Sequence, residues 1–134
     1  MSSAVTLGIH HVGLNVRNLD ETVSFFVDNL GFEKVGERPA YPAVFVSDGT
    51  SVLTLWQAEN PASAVEFDRK KNIGLHHLAL TVTPENLDRL GEELPAIQGC
   101  EVEFGPEQSG AGPARHMMVY IPGSGIRVEL RSGS

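Results

Sequence analysis

Cysteine is almost missing from this chain. Its 134 residues contain one, Cys100, so no intrachain disulfide can form, and that usage points to a reducing, cytoplasmic setting. No apolar run approaches the ~20 residues that a membrane-spanning helix needs. Residues 1–8 lack a basic start followed by an apolar core, so no signal peptide is expected. Basic residues are also few. Ten Lys and Arg against seventeen Asp and Glu leave a net charge of −7, and the longest basic cluster is Arg69-Lys70-Lys71. An acidic surface of this kind argues against nucleic acid and anionic membranes as partners. The rest, 41% apolar and 20% charged residues, is an ordinary globular composition. The length suits one domain, or two small halves sharing a core.

The chain writes one short stretch twice, about half its length apart: Gly8-Ile9-His10-His11-Val12-Gly13-Leu14-Asn15-Val16, then Gly74-Leu75-His76-His77-Leu78-Ala79-Leu80-Thr81-Val82. In each, Val and Leu alternate with other residues, the period of a strand buried on one face. The opposite face carries His11, Gly13 and Asn15 in one copy, and His77, Ala79 and Thr81 in the other. One histidine therefore falls on the same face of each of two equivalent strands. If a pseudo-twofold axis relates the halves, the two imidazoles can meet. His10 and His76 fall on the Val/Leu face and read as structural.

The segments after the two stretches also correspond. Asn18 is placed to cap a helix, with Glu21 in the capping-box position, and Leu19, Val23, Phe26, Val27 and Leu30 fall on one helical face ended by Gly31. Strands are expected over 32–37, 42–47 and 51–57, the last two joined by Asp48-Gly49, a hairpin signal. Periodicity then lapses from Ala58 to Asn72. In the second half Thr83 caps a helix with Pro84 at its first position, and Leu87, Leu90 and Leu94 form its apolar face. Strands are expected over 101–104, 115–121 and 125–131, with a mobile loop from Gly105 to Pro113 that can close over a site. Each half reads strand–helix–strand–strand–strand, which predicts an α+β fold of two tandem βαβββ modules packed as one unit. Within a single domain over 1–134, module one spans 7–57, a linker spans 58–72 and module two spans 73–132.

The closing strands align Thr54 with Glu129, each on a non-core face. A carboxylate there has a cost unless it is solvated, paired or bound to metal. His11, His77 and Glu129 make a set of two imidazoles and one carboxylate. Three such donors leave positions open for water and substrate, which marks a catalytic site; the set suits Fe(II) and admits Mn, Ni, Co or Zn. Glu129 is the candidate for moving a proton. Asn15, Thr54, Trp56, His116 and Arg127 are candidates for substrate contact. Arg127 and Arg131 flank Glu129, either to orient an anion or to offset charge.

At these residues the chain resembles the vicinal oxygen chelate superfamily, which groups glyoxalase I, fosfomycin-resistance transferases, methylmalonyl-CoA epimerases, extradiol dioxygenases and bleomycin-resistance proteins. The marks are His11-Val-Gly-Leu-Asn-Val, Asn18-Leu-Asp with Phe25-Phe26 and Leu30-Gly31-Phe32, His77-Leu-Ala-Leu-Thr-Val, and Arg127-Val-Glu129-Leu. They run from Ile9 to Arg131. The resemblance implies mixed sheets curved around a shared metal cavity, ligands at His11, His77 and Glu129, and a homodimer. It implies a small substrate bound through vicinal oxygens, with lyase or isomerase, thiol transferase or dioxygenase chemistry. The alternative within the family is a small-molecule binding protein without catalysis. Two departures stand out. Thr54 occupies a ligand position that is commonly Glu or Gln in glyoxalase I and the epimerases, and Asn15 stands where glyoxalase I typically has an arginine for glutathione.

Overall fold

The computed structural model describes residues 3–133. The chain forms β1 (Val12–Val16), α1 (Leu19–Ser24), β2 (Glu33–Arg38), β3 (Ala43–Ser47) and β4 (Val52–Gln57). It then repeats the pattern as β5 (Leu78–Thr81), α2 (Pro84–Glu93), β6 (Glu101–Gln108), β7 (Arg115–Ile121) and β8 (Ile126–Ser132). The strands make two mixed four-stranded sheets of identical order, β1-β4-β3-β2 and β5-β8-β7-β6, in which β1 and β5 run parallel to their neighbours. This is the α+β tandem-βαβββ architecture expected from the repeat. The sheets do not close into a barrel around one cavity.

Local chemistry explains the helices. The Asn18 side chain accepts a hydrogen bond from the Glu21 amide, and the Thr83 hydroxyl accepts one from the Asn86 amide, so both expected caps form. The first helix widens to a π-turn over Phe25–Asn29, where the adjacent Phe25 and Phe26 are both buried. Gly31 then takes a φ of +78°, the left-handed turn that glycine reaches without a Cβ clash. One hydrophobic cluster spans both modules, from Leu14, Val16 and Phe26 through Leu53 and Leu55 to Leu87, Met117, Val128 and Leu130. The modules are also tied by backbone bonds, the Arg17 and Asn18 amides donating to the Ser124 and Gly123 carbonyls. No helix among the described residues is long and apolar enough to cross a membrane.

Two expectations need correction. The His-His stretches do not lie in strands over their whole length: β1 begins at Val12 and β5 at Leu78. Both are edge strands, and their ladders to the parallel neighbours begin at the Val12–Leu53 and Leu78–Val128 pairs. Leu7, Ile9, Ile73 and Leu75, in the stretches just before, are left exposed. The segment from Gly105 to Pro113 is not a loop throughout. β6 continues to Gln108, and Arg131 Nη1 donates to Ser109 Oγ at 2.6 Å, which fastens the turn that follows.

A buried carboxylate between two imidazoles

Glu129 sits mid-strand between the fully buried Val128 and Leu130, so its own side chain faces the other way. There it is 8% exposed. A carboxylate so covered is unfavourable unless its oxygens are matched, and both are. His77 Nε2 lies 3.0 Å from Oε1. His116 Nδ1 lies 2.8 Å from Oε2, and Arg131 Nη1 lies 3.5 Å from that same oxygen. Strand register produces this grouping. β5 pairs Ala79 with Glu129, with His77 two residues earlier on the same side. β7 pairs His116 with Arg131, two residues along from Glu129. The Phe104 ring covers His116 at 5.2 Å between centroids. Burial pushes the Glu129 carboxyl up, but the His116 hydrogen bond, the charges of His116 and His77 and the Arg131 hydrogen bond outweigh it and hold it below the usual carboxylate range.

The second nitrogen of His77 is also engaged, Nδ1 standing 2.8 Å from His76 Nδ1. Arg127 backs this pair. Its Nη1 donates to the His76 carbonyl at 3.2 Å and lies 3.4 Å from His76 Nδ1. Nε and Nη2 reach both oxygens of Glu103, at 3.1 and 2.9 Å. The Glu103 carboxyl is held low by the Arg127 hydrogen bond, against the opposing effect of burial. Desolvation, then the Arg127 charge, lowers the His76 imidazole. Sequence reasoning gave His76 only a structural place and left Arg127 open between anion binding and charge balance. The signal that was available is the doubling itself, His-His in both copies, with an arginine near only one of them.

The other candidates lie elsewhere. Thr54 Oγ1 accepts a hydrogen bond from Trp56 Nε1 at 2.9 Å, and Trp56 packs on Tyr41 and Phe45. Asn15 and Arg127 border one cavity of about 220 Å³, which Phe67 and Leu75 also line. His11 is exposed, its Nδ1 2.9 Å from His10 Nδ1, at a crevice bordered by the starts of β4 and β5. Within one chain His11 does not join His77 and Glu129, and among the described residues no three His, Cys, Asp or Glu side chains are grouped to hold one metal ion. A cavity of about 570 Å³ between Phe25 and Gln98 is lined by no histidine and lies apart from this chemistry.

Two donors nevertheless fit a cation. Nitrogen and oxygen ligands about 2.1 Å from an ion and at right angles to each other stand about 3.0 Å apart. That is the separation of His77 Nε2 and Glu129 Oε1. The pair supplies two neighbouring coordination positions, and a third must come from outside this grouping.

A family model described as Glyoxalase/Bleomycin resistance protein/Dioxygenase superfamily matches residues 8–130. The chain is 30% identical over 100 residues to the Bacillus subtilis protein YwkD, itself described as uncharacterized, covering 71% of this chain and 74% of that one. A provisionally assigned glyoxalase from Bacillus halodurans superposes with a TM-score of 0.77 at 25% identity, over 95% of this chain and 96% of that one. The fosfomycin resistance protein FosX of Listeria monocytogenes shares the fold, with a TM-score of 0.75 at 19% identity and coverage of 97% and 96%. A variant of that FosX has been crystallised with Mn(II) and a dihydroxypropylphosphonic acid.

Proposed function

We propose, from the premise that this chain belongs to the glyoxalase/bleomycin resistance protein/dioxygenase superfamily, that it is a divalent-metal-dependent enzyme acting on a small substrate bound through two adjacent oxygens. The observation that carries this reading is the division of the Glu129 carboxylate. One oxygen is held by His116 and Arg131, and the other faces His77 Nε2 at the 3.0 Å spacing of adjacent ligands. The third donor in this reading is His11 of a second copy, because His11 of the same chain is not grouped with the pair. The exposed Leu7, Ile9, Ile73 and Leu75 beside the two histidine pairs support a homodimer in which such a site is completed.

An ion bound there supplies Lewis acidity toward a substrate oxygen, with Fe, Mn, Ni, Co and Zn all compatible with the donors. The chain's own groups do the rest. His77 and Glu129 hold the ion, and His116 and Arg131 keep Oε2 occupied, which makes Glu129 a ligand first and a proton carrier only if that oxygen is released. Thr54, bonded to Trp56, offers no second carboxylate across from it. That disfavours proton shuttling between paired carboxylates and favours transferase or dioxygenase chemistry on an activated substrate. A second reading, ligand capture without catalysis, draws on the cluster of Trp56, Phe45 and the exposed Tyr41.

Metal titration of the purified chain and its variants tests this. Binding of Mn(II) or Zn(II) that is lost in His77→Ala, Glu129→Ala and His11→Ala is expected. Mixing His11→Ala with Glu129→Ala protein restores roughly a quarter of the sites if copies share them, since only mixed dimers rebuild one intact site. No binding by wild-type protein, or binding indifferent to His77→Ala, rejects the reading in favour of ligand capture.

A further inference from the structure

We infer that His76 is a positioning residue, accepting a hydrogen bond from Nδ1 of His77 and so presenting His77 Nε2 as a bare lone pair for a metal ion. The inference rests on the metal-site reading above. It starts from a geometry the repeat produces twice. His76 Nδ1 and His77 Nδ1 stand 2.8 Å apart with their rings steeply inclined at 71°; His10 Nδ1 and His11 Nδ1 stand 2.9 Å apart at 80°. Two imidazole nitrogens at that distance share one proton, so one of each pair donates and the other accepts.

In the second module the direction is decided by a third group. Arg127 Nη1 lies 3.4 Å from His76 Nδ1 and donates to the His76 carbonyl. A guanidinium has donors only, so a proton on His76 Nδ1 would face another N–H and the arginine's charge. His76 Nδ1 is therefore the acceptor and His77 Nδ1 the donor. Arg127 is itself immobilised by its fork on Glu103. The order runs from Glu103 to Arg127, His76, His77 and then Glu129. At its end His77 Nε2 faces Glu129 Oε1 at 3.0 Å, an arrangement that requires a proton or a cation between them. A metal-bound histidine commonly donates its other N–H to a carboxylate, carbonyl or water, which fixes ring and tautomer. Here a second imidazole takes that role. By register Val52 stands where Arg127 does, so the first module has no arginine at the matched position to set the direction of the His10–His11 contact.

The test compares full-length wild type, His76→Phe and His76→Asn by zinc(II) competition titration, thermal melting and side-chain ¹⁵N NMR of His77. Phenylalanine keeps a ring but cannot accept a hydrogen bond; the asparagine carbonyl can. Affinity about 10–100-fold weaker in His76→Phe is expected, with His76→Asn near wild type and all three melting alike, because His76 is exposed. The zinc-bound wild type should show His77 protonated at Nδ1 and ligated through Nε2. Wild-type affinity in His76→Phe, or ligation through Nδ1, overturns the inference and leaves the metal site standing. Wild-type protein that takes up no zinc overturns both.

Discussion

The two modules share a backbone and differ in what they hang on it. Gly13 pairs with Thr54 in one sheet and Ala79 with Glu129 in the other; Ala43 pairs with Trp56 as His116 does with Arg131. At matched places module one carries Ala43, Thr54 and Trp56, and module two carries His116, Glu129 and Arg131. Val35 and Val52 stand where module two has Glu103 and Arg127. Duplication has kept the core residues alike and divided the outer face by chemistry: one apolar and aromatic, one ionic. A fold element can thus be copied for stability while only one copy carries a buried charge. Where Phe104 covers His116 in module two, the Phe45 ring in module one lies over Gly36, within 3.0 Å of where a Cβ would stand.

The largest effects should ignore this difference. Leu55 and Leu130, both fully buried at matched positions of β4 and β8, should each lose about 2–5 kcal/mol on truncation to alanine. Denaturant unfolding measures both, and a strongly unequal loss would mean that the two modules contribute unequally to the shared core. Next comes the difference itself. Glu129→Ala should weaken Zn(II) binding by more than about a hundredfold, whereas Thr54→Ala should leave it unchanged in calorimetric titration. Equal losses would erase the division of labour. Thr54→Val is subtler. It removes the acceptor of the Trp56 indole N–H at a cost of about 1 kcal/mol. Because Trp56 is the chain's one tryptophan, its fluorescence reports on module one alone, and a shift in emission without change in metal affinity is the expected outcome.

Much of this division was legible in the sequence, for a physical reason. Alternation marks which residues face a core, and a repeat marks which residues are equivalent, so both sheets and the pairing of Thr54 with Glu129 followed from pattern. His77 and Glu129 met because parallel neighbours within one module fix their register. Equivalence between modules carries no such information. It states that His11 and His77 occupy like places in their own sheets, not that one chain brings them together, and among the described residues no group of three His, Cys, Asp or Glu side chains could hold one ion. The links through His76, Arg127 and Glu103 were also hidden, since they join residues from a pre-strand segment, β8 and β6 by side-chain reach, which leaves no period. The repeat also overruns the strand starts: the stretches from Gly8 and Gly74 become strand only from Val12 and Leu78 onward.

The smallest effect concerns the pair that only module two owns. The Arg127 hydrogen bond holds the Glu103 carboxyl below its usual value of 4.5. A carboxyl lowered on folding binds its proton more readily in the unfolded chain, so its contribution is complete above about pH 4.5 and disappears as pH falls through the lower folded value. Glu103→Gln should therefore melt about 1–3 °C below wild type at pH 7, and the gap should narrow below pH 4.5. Other carboxylates titrate in that range too, including Glu129, but they are common to both proteins and drop out of the difference. Val35 provides the internal control, because it occupies the matched place and Val52 stands where Arg127 does. Val35→Thr should shift the melting temperature by the same amount at every pH, and a pH-dependent shift there would show that the signal assigned to the Glu103–Arg127 pair belongs to the sheet edge in general.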